Sequence, residues 1–218
     1  ENQIVELADG RLLMDIRQNS GWHRWLAESV DGGRTWGERR PGVPVTPVMC
    51  AIEHFPAGIA GGTDCLLWTG PGGSERRRLV LRVSVDDGKT FGDGRLISDG
   101  YAAYSDLTIL RDRTIGVFWE RGVDRGYQFL TFTRLNREWL AAAPVEASAG
   151  TYQVISKGEA AGTYQAFPDV CRLKNGDLLC VFYAGYGHVS LPRDDWPRGG
   201  RICSVRSADE GKTWSAPR

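Results

Sequence analysis

No stretch of this 218-residue sequence approaches the ~18 consecutive apolar residues that span a bilayer as a helix. No run of five like charges occurs either, and Arg76-Arg77-Arg78 is the densest cluster. With 27 basic and 27 acidic residues the formal net charge is zero, so bulk electrostatics give no reason to expect nucleic acid or an anionic membrane as partner. The three histidines, at 23, 54 and 188, fall in no metal-ligand spacing, and none of the five cysteines forms a C-x-x-C pair. The sequence thus supplies no argument for a metal or an organic cofactor. Cys171, Cys180 and Cys203 lie in apolar runs and are expected to be small core residues. No segment sustains an i, i+3, i+4, i+7 apolar pattern; residues 141–145 (AAAPV) form the best short helical or linker candidate.

What the sequence has is short strand-like runs: QIVEL, RLLMDIR, RWLAES, RRLVLRVS, DLTIL, TIGVFWE, YQFLTFT, DVCRL, LLCVFYAG and RICSVRS. They are rich in β-branched and aromatic residues. Asp-Gly pairs at 9–10, 31–32, 87–88, 93–94 and 99–100, and Asn-Gly at 175–176, separate them. The 28 glycines and eight tryptophans fit many short strands joined by tight turns. The chain is predicted to be all-β.

One phrase recurs: SVDGGRTW at 29–36, SVDDGKTF at 84–91 and SADEGKTW at 207–214. The first two copies start 55 residues apart and the next interval is 123, roughly two periods; TRLNREW at 133–139 is a candidate for a worn copy between them. Such a period in an all-β chain predicts propeller blades of four antiparallel strands. The phrase reads as a hairpin turn. Its Asp accepts backbone N–H bonds, its Gly supplies a positive φ, and its Thr and Trp begin the outgoing strand with the indole over the hairpin. Asp31, Asp86 and Asp209 are therefore expected to be structural, not catalytic.

The repeated phrase resembles the Asp-box, or bacterial neuraminidase repeat, and the stretches between copies resemble exo-α-sialidases. Residues 1–140 are similar to the C-terminal half of such a domain. ENQIVELADGRLLMDIR resembles the segment with a catalytic Glu followed by a substrate-binding Arg, which implies those roles for Glu1 and Arg17. RRRLVLRVSVDDGKTF resembles the segment with another binding Arg, eight residues before the box Ser, which is Arg76. AAYSDLTIL resembles the segment bearing the nucleophilic Tyr, here Tyr104. Glu120, at the end of VFWE, would take a supporting role; Arg121 and Arg125 flank the loop that follows. Residues 151–218 resemble the family's first blade instead. There TYQAFPDV matches the opening Phe-Arg-Ile-Pro motif, with Ala166 at the position of the remaining binding arginine. DDWPRGGRICSVRSADEGKTW resembles the loop carrying the acid/base Asp, which places it at Asp195, twelve residues before Ser207; Asp194 is its neighbour. Trp22, Trp25 and His188 are further candidates for sugar contact, each with a plain packing or loop role as the alternative.

The order is last blades first and first blade last. The resemblance implies a six-bladed propeller, of which the chain supplies about four blades' worth. We expect a piece of a tandem protein or a permuted chain: 1–140 as C-terminal blades, 141–150 as linker, 151–218 as a first blade. Sialic acid carries a carboxylate on its anomeric carbon. A neutral phenol approaches that carbon without like-charge repulsion, and a nearby Glu takes its proton, since free Tyr titrates near pH ~10. Planar bidentate donors suit the substrate carboxylate, hence arginines. The resemblance thus implies a retaining sialidase-like exo-glycosidase acting on sialylated glycans: Tyr104 and Glu1 as nucleophilic pair, Arg17 and Arg76 on the carboxylate, Asp195 as acid/base. It also implies a secreted or periplasmic setting. Two other readings stay open: a non-catalytic glycan-binding propeller, and a related glycosidase for a neutral sugar, which the alanine at 166 would suit.

Overall fold

Period-two alternation of apolar side chains builds the first sheet. Strands β1 (Asn2–Glu6), β2 (Leu12–Ile16), β3 (His23–Ser29) and β4 (Arg40–Pro44) form an antiparallel meander in chain order. The Asp-Gly pair at 9–10 makes the first hairpin: Gly10 has φ 86°, and the Leu7 and Arg11 backbones close the turn at 2.8 Å. Next come β5 (Ala51–Phe55), β6 (Cys65–Pro71) and β7 (Arg77–Ser84), again antiparallel. The computed structural model describes residues 1–56, 63–142, 151–158 and 161–218.

Two compact units result, one from Glu1–Asp99 and Arg137–Ala149, the other from Gly100–Asn136 and Gly150–Arg218. Strand β8 (Arg95–Ile109) runs through the boundary without a turn. The Asp99–Gly100 pair is therefore no separator. Both residues fall within strand β8, where Gly100 takes φ 95°. Helix α1 (Arg137–Ala141) belongs to the first unit, where the Arg95 guanidinium lies 4.5 Å over the Trp139 ring and bonds the Ala142 carbonyl. It occupies the place where the worn box was expected: Thr133 ends in β10 and Trp139 in the helix. Most of the linker 141–150 lies outside the described residues.

In the second unit, β9 (Ile115–Gly122) and β10 (Phe129–Leu135) follow the later part of β8. β11 (Tyr152–Ser156) then pairs antiparallel with β10, Thr133 opposite Tyr152, so chain from both sides of 141–150 shares one sheet. β12 (Tyr164–Arg172), β13 (Leu178–Gly185) and β14 (Arg201–Ser207) form a further antiparallel sheet. Alongside β14 the final residues pair by Ser204 and Arg218 backbone bonds of 2.9 and 3.1 Å. The core of this unit joins Phe118, Phe132, Phe182, Leu130 and Val205. Cys180 and Cys203 are buried as expected, but Cys171 is exposed. It follows buried Val170 on the same strand, and period two turns it outward.

The three boxes share one geometry. The Asp Oδ1 accepts the Thr backbone N–H at 2.9, 2.9 and 2.8 Å, and the Thr hydroxyl donates to Oδ2 at 2.6 Å in each. The Ser hydroxyl donates to the same Asp and accepts the Gly N–H at 2.9, 2.9 and 2.8 Å. The Thr hydroxyl and then the Thr N–H hold each carboxyl down to a pKa of about 2. These are satisfied turn carboxylates. The outgoing strands start later than expected, at Arg40 and Arg95, because the Thr side chain is spent on the turn. In the third box the Trp214 indole meets Phe118 and Phe132 edge-on, covering the unit's core.

A buried clamp and two facing bulges

In the first unit Glu1 and Arg17 lie across the β1–β2 hairpin, Asn2 opposite Ile16, and their side chains form an ion pair. The Arg17 backbone N–H also bonds the Asn2 side chain at 3.2 Å. Both groups are about a quarter to a third exposed, so the pair stands at a surface a ligand can reach. Arg76 is half-buried and donates to the Pro47 carbonyl at 3.3 Å, whereas Arg77 and Arg78 are exposed. Beneath Glu1 lies a network no motif announced. Fully buried Arg24 donates to Asp15 Oδ1 at 2.8 Å, to the Val48 carbonyl at 2.5 Å and to the Glu1 carbonyl at 3.4 Å. The Trp68 indole donates to the other Asp15 oxygen at 3.1 Å. Burial pushes the Asp15 carboxyl up, and Arg24 pulls it back.

In the second unit Tyr104 sits in a bulge of β8 where the register shifts between Ala102 and Ser105. A second bulge interrupts β12 between Ala166 and Asp169. Glu120, on β9 and fully buried, joins them: one carboxylate oxygen accepts the Tyr104 N–H at 2.9 Å, the other the Phe167 N–H at 2.7 Å. Bulges re-aim side chains, and a carboxylate that takes the N–H groups freed at both fixes their aim. Phe167 has φ 59° although it is bulky and precedes Pro168, a residue type and position that disfavour that conformation. Such stored strain gathers at functional sites. The Phe167 ring lies 5.2 Å from the Tyr104 ring. Tyr104 itself is only 5% exposed.

Ala166 is fully buried and pairs with Tyr183 in the sheet, so this position presents no guanidinium. Around Phe167 stand aromatic rings: His188 at 5.5 Å, Tyr183 at 6.0 Å, and Tyr164, whose hydroxyl meets His188 Nδ1 at 3.1 Å. Asp195 lies on an exposed loop, 73% open at its side chain and bonded to Arg193 at 2.7 Å. Arg121 stacks 4.5 Å over Tyr152 and Arg125 donates to the Thr163 carbonyl at 3.3 Å, both packing roles. Trp22 is 67% exposed, whereas Trp25 packs against His23 and Arg39. Near Tyr104, Asp106 accepts the Val170 N–H at 2.6 Å; burial, with Asp169 beside it, pushes its carboxyl up to about 8. Among the described residues no group of three His, Cys, Asp or Glu is arranged to hold a metal ion, and no helix is long and apolar enough to cross a membrane.

The sheets, box turns and paired bulges define an all-β chain of propeller blades of the sialidase type. Residues 1–117 match the BNR repeat-like domain family, and the chain belongs to that family. It is 33% identical over 153 residues to a sialidase of Micromonospora viridifaciens, a match covering 64% of this chain but 22% of that protein. The chain thus spans less than a quarter of that relative's length. Among solved structures, an intramolecular trans-sialidase from Ruminococcus gnavus superposes with a TM-score of 0.55 at 24% identity, covering 66% of this chain and 34% of that one. An endo-arabinase from Bacteroides thetaiotaomicron gives a TM-score of 0.65 at 14% identity over 100% of this chain and 78% of that one. These two likenesses concern the fold alone.

Proposed function

We propose that this chain carries machinery of a sialidase-type exo-glycosidase that removes terminal sialic acid with retention. The observation carrying this reading is the 33% identity to a sialidase over 153 residues; the roles of Glu1, Arg17, Arg76 and Tyr104 are assigned from the resemblance of their sequence segments. In the first unit, Arg17 and Arg76 supply guanidinium forks for the substrate carboxylate, and Glu1 supplies a carboxylate base. In the second, Tyr104 is the nucleophile, its backbone aimed by Glu120. Attack by the phenol oxygen on the anomeric carbon breaks the glycosidic bond as an acid protonates the leaving oxygen. Water then releases the sugar. Asp195 is assigned that acid role, which requires it to exchange its Arg193 partner for substrate. Hydrolysis of a fluorogenic sialoside tests the reading: turnover lost in Tyr104→Phe supports it, and turnover unchanged in that variant overturns it.

A second reading is favoured by one observation, the buried alanine at 166 beside an aromatic Phe167. On it, the sugar is neutral on that side. Turnover of a neutral glycoside in preference to a sialoside would select it.

A further inference from the structure

We propose that the cavity between strand β4 and the second box, lined by Arg82 and Lys89, is a binding site for a small tetrahedral oxyanion, a sulfate or phosphate group. The cavity lies wholly within the first unit. Residues 41–44 of β4 and 88–91 of the box line it together with Arg82, around about 150 Å³. Arg76 immediately precedes β7, and Arg82 follows it six residues on, about 20 Å along an extended strand. The site therefore stands at the other end of β7 from Arg76, and it does not rest on the glycosidase reading above.

Two cations line this cavity without a carboxylate in ion-pair contact among the described residues. Arg82 donates through Nη1 to the Gly92 carbonyl at 2.8 Å, but its Nε is buried with no hydrogen-bond partner. Arg40, by contrast, is held by Glu28 and the Gly88 carbonyl. The neighbouring acids are engaged elsewhere or act at a distance. Asp86 gives both oxygens to the box turn, Asp87 pairs with Arg11, and Asp93 reaches Arg82 through space only. Burial lowers the Arg82 guanidinium from its ordinary value, a cost that a bound anion offsets. The N–H groups of Gly88 and Thr90 are taken by Ser84 and Asp86, so the charged donors left to the cavity are the two side chains. A planar fork beside a mobile point charge suits tetrahedral oxygens, and Val43 with Phe91 offers an apolar wall to whatever carries them. The third box builds a similar cavity of about 250 Å³, with Gly211 and Lys212 against β10 and β11. Its arginine, Arg134, is already paired with Asp112, which makes it an internal control.

The test measures binding of glucose 6-sulfate, glucose 6-phosphate, inorganic phosphate and glucose by calorimetry at low salt, with thermal melting as the folding control. The anions should bind and glucose should not. Arg82→Ala should weaken them roughly 10- to 100-fold, the loss of one or two charge-assisted bonds, and Arg82→Lys should recover little. Lys89 is exposed, so Lys89→Glu changes the charge without disturbing the core and decides the matter where Arg82→Ala melts early. It should abolish binding, whereas Lys212→Glu should leave it within about twofold. Inorganic phosphate binding as tightly as the esters assigns the site to the free ion; tighter esters assign it to an esterified ligand held also by the apolar wall. Absence of binding by every anion overturns the proposal. So does binding that survives Lys89→Glu, or that is lost in Arg17→Ala and kept in Arg82→Ala. No arm reads turnover, so this site and the glycosidase reading fail separately.

Discussion

Glu120 holds Tyr104 by its backbone: a carboxylate with no solvent exposure accepts the tyrosine N–H at 2.9 Å and spends its other oxygen on Phe167 at 2.7 Å. Removing it takes this acceptor from the buried Tyr104 N–H and the part-buried Phe167 N–H. Glu120→Ala should destabilise the chain by about 3 kcal/mol, read as a lower urea midpoint, and Glu120→Gln by less because one acceptor oxygen remains. A Glu120→Ala midpoint equal to that of the parent would show that neither bulge depends on the carboxylate.

Arg24 and Asp15 form a buried pair with no exposed surface on either side chain. Replacing only Arg24 by Met leaves a buried carboxylate without its cation and should cost about 3–5 kcal/mol. The double replacement Arg24→Met with Asp15→Leu should recover part of that loss. A double variant less stable than the sum of the singles would refute this account of the clamp.

The box carboxylates set an acid limit. Each titrates at about 2 in the fold against an ordinary 3.8, so the unfolded chain binds protons first as pH falls. Their contribution is complete above about pH 4 and is lost as pH drops through about 2. Urea midpoints measured from pH 5 to 2 should fall, and less steeply in Asp86→Ala. A parallel descent in both proteins would contradict the assignment.

Asp106 works in the opposite sense. Its carboxyl is raised to about 8 in the fold, so the native state keeps a proton the unfolded chain releases near pH 4. Stability from this group is complete below that point and declines as pH rises through about 8. Asp106→Asn, which mimics the protonated acid, should flatten the decline between pH 5 and 8.

Arg17→Ala should lower kcat/KM for a sialoside roughly 10- to 100-fold, the loss of one or two charge-assisted bonds to a carboxylate, and leave a neutral glycoside nearly unaffected. Arg17→Lys should recover little, since a point charge does not replace a planar fork. Equal effects on both substrates would remove Arg17 from carboxylate recognition.

Much of the fold was legible because strands with strong alternation announce themselves. QIVEL, RWLAES, TIGVFWE and LLCVFYAG all became strands, and the box spacing gave the blades. β4 was not read, since RPGVP carries two prolines and a glycine that argue against a strand; it survives as the last strand of its sheet. The segment 133–139 looked like a worn box, but it has no Asp and became strand end and helix. Local patterns could mark Glu1, Arg17, Arg76, Tyr104 and Asp195 as candidates by resemblance. They could not show Glu120 bridging two bulges, because a bulge follows from register between distant strands and has no signature of its own. The Arg24–Asp15–Trp68 clamp was hidden because its members sit on three strands, β2, β3 and β6, and are unremarkable singly.

The pairing of β10 with β11 bears on how the molecule is made. β8, β9 and β10 leave the ribosome before the segment that completes their sheet. Until then the outer edge of β10 is a row of open backbone donors and acceptors, able to recruit another nascent chain. This sheet of the second unit is therefore complete only once residues 152–156 have been made. A chaperone that shields that edge should raise soluble yield more than any substitution in the finished core.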